Sequence, residues 1–202
     1  MRIGVFGGTF DPVHLGHLIL AEQAREQANL DLVWFVPAAR PPHKLDRPIT
    51  PFDRRAEMLQ LAVAGQSNFQ VQLLEKDRPG PSFTVDTLAN LHRDDPKNEL
   101  FLILGADCLT DLTKWYQPLK ILELATLLVA SRPGWPILSK EQLADSLGLA
   151  DSASIKWKQV FIPLIEISSR ELRQRASEGR SVLFMVSRAV EVYIREKKLY
   201  RS

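Results

Sequence analysis

The chain has 202 residues, of which 45% are hydrophobic and 25% are charged, and its formal net charge is +2. This length and composition are typical of one globular domain with a buried core, so we expect a single domain over residues 1–202. The small net charge argues against a nucleic-acid-binding surface, and the single cysteine, Cys108, excludes an intramolecular disulfide framework. The apolar runs are too short to span a bilayer and the N-terminus does not resemble a secretory signal, so we expect a cytoplasmic protein with no membrane partner.

The first apolar run, Ile3 to Phe6, predicts a buried strand, and a glycine turn connects it to an amphipathic helix over Leu15 to Ala28. Such a junction gathers backbone N–H groups and the positive end of a helix dipole, which favours a bound anion such as phosphate. His14 and His17 are three residues apart and therefore share one face of that helix. Their ring N–H groups can donate to the same anion.

The next apolar run, Leu32 to Val36, predicts a strand that is covered on both faces and ends at Pro37. Thr50 is predicted to cap a helix that has Pro51 at its first position and runs to Gly65. The remaining predicted elements are a strand at Phe69, Val71 and Leu73, a helix over Val85 to His92, strands over Leu100 to Leu104 and Thr126 to Ala130, a helix from Ser139 to Gly148, a strand over Val160 to Ile165, a helix beginning at Ser168 and a last helix over Ser187 to Lys197.

Strands alternate with helices along the whole chain, which predicts an α/β fold. We expect a Rossmann-like doubly wound parallel sheet in a single domain with a C-terminal helical portion. Ligands of such sheets bind outside the carboxyl ends of the strands, so segments that follow different strands should meet at one edge. The sequence contains no GxGxxG dinucleotide fingerprint, no Walker A motif and no GxSxG nucleophile elbow.

The stretch Gly7 to His17, GGTFDPVHLGH, resembles the signature of the nucleotidyltransferase superfamily with the (H/T)xGH motif. Its members transfer an AMP or CMP unit from a nucleoside triphosphate to a phosphate-bearing acceptor and release pyrophosphate. The whole chain resembles one family within it, the nicotinate-nucleotide adenylyltransferases, which make deamido-NAD from ATP and nicotinate mononucleotide in NAD biosynthesis. The further matching stretches are Pro41 to Lys44, Pro81 to Leu88, Leu104 to Asp107, Lys114 to Tyr116, Ser131 to Gly134 and Ile167 to Arg173.

The chemistry of this reaction suits the residues present. The acceptor is a 5′-phosphate, whose second pKa of about 6 leaves it largely ionised at neutral pH, so no base is needed to activate it. The barrier is electrostatic, because two anions must meet in line at the α-phosphorus. A site for this chemistry needs hydrogen-bond donors and cations, and we find no plausible Ser–His–Asp or Cys–His set in the sequence.

The resemblance implies that catalysis is carried by four residues with phosphate-binding roles. His17 is expected to bind the α-phosphate oxygens, His14 to hold the triphosphate beside it, Lys44 to contact a phosphate, and Arg173 to cradle the β- and γ-phosphates. Asp107 is expected to accept hydrogen bonds from the adenosine ribose. The implied ATP-binding residues are Gly8, Thr9, Phe10, His14, His17, Gly105, Asp107, Ser168, Ser169 and Arg173.

The resemblance also implies a second subsite, for nicotinate mononucleotide. Trp115 is expected to stack on the pyridine ring, and the backbone N–H groups of Thr84 and Tyr116 are expected to meet the nicotinate carboxylate. The implied residues are Gly8, Lys44, Phe83, Thr84, Trp115 and Tyr116. Magnesium is the expected cofactor, held mainly by substrate phosphates, since the sequence shows no carboxylate cage of its own.

Two departures from the family pattern and several alternatives remain open. Arg170 stands in the second phosphate motif where a serine or threonine is usual, and Ala39 stands where many members have asparagine. The acceptor could instead be nicotinamide mononucleotide, or both nucleotides could serve. Phosphopantetheine adenylyltransferases share the first motif but are shorter, and a catalytically inactive nucleotide-binding module is the alternative of a different class. A homo-oligomer is also an open alternative.

Overall fold

The structure is a computed structural model that describes residues 1–42, 48–131 and 138–201. Its strands are β1 (Arg2–Gly8), β2 (Leu32–Pro37), β3 (Phe69–Val71), β4 (Glu99–Gly105), β5 (Thr126–Ala130) and β6 (Trp157–Val160). They form one six-stranded sheet in the order β3-β2-β1-β4-β5-β6, and every pairing is parallel. The predicted doubly wound parallel sheet is therefore confirmed.

Helices cover both faces of this sheet. They are α1 (Leu15–Gln27), α2 (Phe52–Val63), α3 (Thr84–Asp94), α4 (Ala106–Asp111), α5 (Pro118–Leu124), α6 (Lys140–Ser146), α7 (Ser169–Ser177) and α8 (Arg188–Glu196), with short 3₁₀ turns at Leu112–Lys114 and Ser152–Ser154. Within the described ranges, no helix has both the length and the apolar character that crossing a bilayer requires.

The core consists of two apolar clusters, one on each face of the sheet. Successive residues of β4 alternate between them: Phe101 and Ile103 pack with α1, α2 and α8, whereas Leu102 and Leu104 pack with α3, α5 and α6. Because side chains alternate across a strand, a strand that is buried on both faces must be apolar at every position. This explains why the central strands are continuous apolar runs in the sequence.

Side-chain caps are found at Ser139 and Ser168, where two of the helices were predicted to begin. Ser139 and Gln142 form a reciprocal capping box at α6, with hydrogen bonds of 2.8 and 3.2 Å. The Ser168 hydroxyl accepts the Glu171 N–H at 3.2 Å at the start of α7. The predicted cap of α2 is wrong by one residue, because Pro51 is its N-cap. Thr50 instead donates its backbone N–H to the Asp11 carboxylate at 3.1 Å.

The predicted strand over Val160 to Ile165 is wrong, since β6 ends at Val160. Pro163 has no N–H for a ladder hydrogen bond, and Phe161 and Leu164 are 67% and 79% exposed, so this run does not lie within a sheet. It forms a loop in front of α7 instead. The third strand is also shorter than predicted, because it ends at Val71 and leaves Leu73 outside.

Candidate active site

The order of the sheet reverses direction between β1 and β4, which creates a crevice outside their carboxyl ends. A cavity of about 560 Å³ lies there. Most of the predicted site residues line it, although they come from segments far apart in the chain. These lining residues are Gly8, Thr9, His14, His17, Phe83, Thr84, Gly105, Asp107, Trp115, Tyr116, Ser168 and Ser169.

Three predicted site residues are not among those lining residues. The ring of Phe10 is 2% exposed and packs edge-on against Phe6, at 5.4 Å between centroids. Arg173 lies behind the first motif and donates its guanidinium to the Asp11 carbonyl at 2.7 Å. Lys44 lies outside the described residues, so its predicted contact with a phosphate stays a prediction.

The two histidines lie at the start of α1, where the anion site was predicted. His14 is the N-cap residue with extended backbone, and its ring stacks on that of His17 with 3.7 Å between centroids and an interplanar angle of 24°. Gly16 permits this arrangement, because a Cβ at that position would come within 3.1 Å of the His14 Nδ1. The first turn of α1 contains no acidic residue, so the positive end of the helix dipole is not offset there.

Backbone contact determines the protonation pattern of the His17 ring. Its Nδ1 accepts the His14 backbone N–H at 3.2 Å. A ring nitrogen that accepts a hydrogen bond carries no proton, so the proton lies on Nε2. The ring is further held edge-on against Phe10, at 5.0 Å between centroids. His17 is therefore oriented as an N–H donor in the wall of the cavity.

Glycines at the ends of β1 and β4 make room for the neighbouring side chains. A Cβ on Gly8 would come within 2.9 Å of the Phe10 ring, so the buried phenyl group requires glycine at this position. A Cβ on Gly105 would come within 2.5 Å of an Asp107 carboxylate oxygen. The Asp107 carboxylate thus lies directly against the end of β4, in the wall of the cavity.

Aromatic residues surround the predicted pyridine subsite. The rings of Phe83 and Tyr116 lie 4.6 Å apart between centroids and are tilted by 33°. Trp115 is partly buried against the apolar cluster of α3 and α5, and it also lines the cavity. Thr84 is the first residue of α3, whose N-cap, Phe83, provides no side-chain hydrogen bond. The first N–H groups of α3 are therefore left for another acceptor.

The start of α7 and the first motif form the part of the cavity that is predicted to bind the triphosphate of ATP. Ser169 donates its hydroxyl to the Pro12 carbonyl at 2.9 Å, which ties α7 to the loop before α1. Its side chain is therefore engaged with the protein backbone, and the N–H groups at the start of α7 are the donors that this end offers to an anion. Arg170 is exposed, in agreement with a solvated side chain rather than a cavity contact.

A buried polar network beneath the first motif was not predicted. The Asp11 carboxylate accepts hydrogen bonds from the Tyr200 hydroxyl at 2.7 Å and from the Thr50 N–H at 3.1 Å. Burial, together with the negative charge of Asp11, raises the pKa of the Tyr200 phenol well above its usual range, so it remains a donor. Arg55 is fully buried and donates to the carbonyls of Thr50 and Thr9, both at 2.8 Å. Nothing in the local sequence around Tyr200 indicates this contact.

We predict that Tyr200→Phe destabilises the protein by about 1–3 kcal/mol, because it removes a hydrogen bond to a buried carboxylate. Thermal unfolding should show this as a fall in Tm of about 2–4 °C for each kcal/mol. The matched control is Tyr193→Phe, since the Tyr193 hydroxyl bonds to Glu57, whose side chain is 46% exposed and which water can solvate instead. A Tm for Tyr200→Phe equal to that of the wild type would contradict the role assigned to this network.

Comparisons with known proteins identify the family of the chain. The sequence profile of the cytidylyltransferase-like family matches residues 5–175. A probable nicotinate-nucleotide adenylyltransferase of Thermus thermophilus is 49% identical over 201 residues and is covered over 100% of both chains. The corresponding protein of Thermomicrobium roseum is 44% identical, with 100% of this chain and 92% of the relative covered.

A solved structure shares the fold at low identity. It is that of Plasmodium falciparum nicotinic acid mononucleotide adenylyltransferase complexed with NaAD, and it superimposes with a TM-score of 0.81 at 20% identity over 98% of this chain and 97% of that chain. The full-length identity to the bacterial relatives, rather than this likeness of fold, decides the family. The chain belongs to the nicotinate-nucleotide adenylyltransferase family, within the cytidylyltransferase-like family.

Proposed function

We propose that this protein joins ATP and nicotinate mononucleotide to give deamido-NAD and pyrophosphate, by direct in-line transfer of the AMP unit. The observation that carries the proposal is the meeting of the predicted ATP residues and the predicted pyridine residues in one cavity at the switch point of the sheet. The family and its full-length relatives support the same reaction. The chain is therefore a nucleotidyltransferase of NAD biosynthesis.

On the ATP side, we assign phosphate binding to the two helix starts that face the cavity. His17 presents its Nε2–H to the α-phosphate, and the start of α1 adds its dipole. Negative charge builds on the transferring phosphoryl oxygens, and preoriented donors stabilise it without reorganising during the reaction. Arg173 is assigned to the β- and γ-phosphates, and one nitrogen of its guanidinium also donates to the Asp11 carbonyl of the first motif.

On the acceptor side, we assign the pyridine ring to Trp115 and its carboxylate to the N–H groups of Thr84 and Tyr116. A carboxylate only accepts hydrogen bonds, whereas a carboxamide also brings two N–H donors, so a pair of backbone donors favours the acid. The positive end of the α3 dipole favours it further, although Asp86 in the first turn offsets part of that dipole. The ionised 5′-phosphate then attacks the α-phosphorus, the bond to the leaving pyrophosphate breaks, and no proton needs to be removed from the nucleophile.

The test of this function is pyrophosphate release with ATP and Mg²⁺, comparing nicotinate mononucleotide with nicotinamide mononucleotide. We expect kcat/KM to favour the acid by about 100-fold or more, because a site that offers only donors leaves the amide N–H groups unpaired. Equal or reversed preference would overturn the acceptor while keeping the adenylyl transfer. Binding of ATP without pyrophosphate release would support the alternative of an inactive nucleotide-binding module.

We further propose that Mg²⁺ enters with the triphosphate. The described ranges contain no group of three or more His, Cys, Asp or Glu side chains placed to hold a metal ion, so the ligands of the ion would be phosphate oxygens and water. The ion supplies charge neutralisation at the phosphates. We predict that the rate follows the concentration of the MgATP complex, with no separate saturation by free Mg²⁺ when the complex is held constant. An additional hyperbolic dependence on free Mg²⁺ would indicate a site on the protein.

The remaining predictions, which concern binding partners, cellular location and self-association, are part of this proposal. The substrates are small nucleotides, in line with the complexes named for the solved relatives. A cytoplasmic location stays a prediction. Self-association stays a prediction that sedimentation of the purified chain would test.

A further inference from the structure

A buried carboxylate in the cavity wall has no role in the proposed mechanism. Glu75 lies in the turn between β3 and α3 and is 5% exposed, and it lines the cavity. In the sequence it belongs to the charge run Glu75 to Arg78, which is typical of a solvated surface turn. A carboxylate is almost never buried without partners, because desolvation disfavours its charged form.

The partners of Glu75 are found on two elements of the wall. Its Oε1 accepts the Thr87 hydroxyl at 2.6 Å and lies 3.3 Å from the Arg78 guanidinium. Arg78 in turn donates to the Thr87 hydroxyl at 3.0 Å and to the Phe83 carbonyl at 3.4 Å. The side chains of Arg78 and Glu75 are only 16% and 7% exposed, so water screens this ion pair weakly. We call Glu75, Arg78 and Thr87 the buried cluster.

The buried cluster connects the segments that surround the predicted pyridine subsite. The second carboxylate oxygen of Glu75 accepts the Ala39 N–H at 3.3 Å and so holds the loop that follows β2. Arg40 in the same loop makes two hydrogen bonds of 2.9 Å with Ser82. Its N–H donates to the Ser82 hydroxyl, and its carbonyl accepts the Ser82 N–H. Thr87 lies one turn along α3 from Thr84, so the buried cluster contacts the face of the helix next to the cavity.

The charges of the buried cluster affect which pyridine nucleotide is preferred as the acceptor substrate. The Arg78 guanidinium lies against the Phe83 carbonyl, immediately before Thr84, and it balances the negative charge of Glu75. Without that cation, an unpaired carboxylate would remain in the wall of the cavity near the expected position of the substrate carboxylate. Like charges repel strongly where water is excluded, and a neutral carboxamide would not be repelled in this way.

We propose that the buried cluster of Glu75, Arg78 and Thr87 positions the first turn of α3 and thereby sets the preference for a pyridine carboxylate over a carboxamide. This inference rests on the proposed function. The three side chains are positioning residues, since they act through the backbone of Phe83 and Thr84 and through the charge balance of the wall.

The first test is Thr87→Val, which keeps the shape of the side chain and removes the hydroxyl that joins Glu75 to Arg78. We expect the KM for nicotinate mononucleotide to rise about tenfold, the scale of one lost buried hydrogen-bond partner. The value of kcat and the KM for ATP should stay within about twofold of the wild type. Thr87→Ser restores the hydroxyl and should restore the KM, which a loss of general stability would not explain.

The second test separates charge from position. Arg78→Met should raise the KM for the acid about tenfold more than the KM for the amide, because it leaves the Glu75 charge unbalanced. The double variant Arg78→Met/Glu75→Gln removes both charges and should return the acid-to-amide ratio to within about threefold of the wild type. The matched control is Glu123→Gln, which breaks an exposed ion pair with Lys120 and should change neither KM.

The wild type is assayed first, with calorimetric titration of nicotinate mononucleotide beside turnover and a thermal melt for every variant. No pyrophosphate release by the wild type would reject the proposed function itself. An active wild type with an unchanged KM in Thr87→Val, or with equal effects on acid and amide in Arg78→Met, would overturn only the inference about the buried cluster. A folded Thr87→Val variant with weaker acid binding and rescue by serine is the expected result.

Discussion

Replacing His17 with alanine is expected to lower kcat by about 10²–10³-fold while the fold stays intact, the scale of one lost transition-state donor. The structure supplies the reason for this expectation. Hydrogen bonding of Nδ1 to the His14 backbone holds the ring with its proton on Nε2, and His17 lines the cavity at the start of α1. Single-turnover measurement of AMP transfer, with ATP saturating, isolates the chemical step and is the assay of choice.

Two further variants make the His17 result specific. His17→Gln retains an N–H donor near the position of Nε2 and should recover part of the lost rate. His92→Ala removes an exposed histidine of α3 and should match the wild type. Circular dichroism and the Tm of His17→Ala are needed, because the ring also stacks on His14 and packs against Phe10. A folded alanine variant within about tenfold of the wild-type rate would remove His17 from the catalytic assignment.

Asp107→Ala is expected to raise the KM for ATP by about 10–100-fold, with a smaller effect on kcat. The carboxylate lies against Gly105 at the end of β4 and lines the cavity, where the adenosine ribose is expected. Hydrogen bonds to a charged group are worth about 1.5–3 kcal/mol, which corresponds to this range of affinity. The measurement is initial rate against ATP at saturating nicotinate mononucleotide.

A substrate with one hydroxyl removed tests whether Asp107 touches the ribose. The wild type and Asp107→Ala are each assayed with ATP, 2′-deoxy-ATP and 3′-deoxy-ATP. If Asp107 accepts hydrogen bonds from the ribose hydroxyls, at least one deoxy substrate should have a higher KM than ATP with the wild type. With Asp107→Ala the same deoxy substrate should have the same KM as ATP, because the variant already lacks the contact. Fully additive losses with both deoxy substrates would show that Asp107 acts elsewhere.

The fold was largely predictable because the physical constraints were local. A strand that is buried on both faces is apolar where it is buried, as at Leu127 to Ala130, and the strand Thr126–Ala130 has the predicted bounds. The capping box of Ser139 and Gln142 likewise depends only on residues three apart. The strand predicted from Val160 failed because an apolar run also suits a loop that packs Ile162 against the core, and Pro163 prevents pairing there.

The candidate site was predictable to the extent that its residues stand in contiguous motifs. The strand–turn–helix junction indicated an anion site, and the resemblance to a known family gave the pyridine subsite. No pattern pointed to Glu75, which is followed by the charged and exposed Lys76 and Asp77, or to Tyr200 near the end of the chain. The assignment of Arg173 to the triphosphate comes from the resemblance and stays a prediction, whereas the hydrogen bond from its guanidinium to the Asp11 carbonyl was not predicted.

The sequence by itself determined the parallel sheet, the order of its elements, the histidine pair at the start of α1 and the family. These depend on periodicity, on capping over one turn and on motifs within a few residues, all of which act at short range along the chain. Only the tertiary structure decided that Tyr200 binds Asp11 and that Glu75 is buried with Arg78 and Thr87. Those contacts join residues whose partners are fixed by how the helices pack on the sheet, and burial, which gives them their strength, is a property of the packed chain.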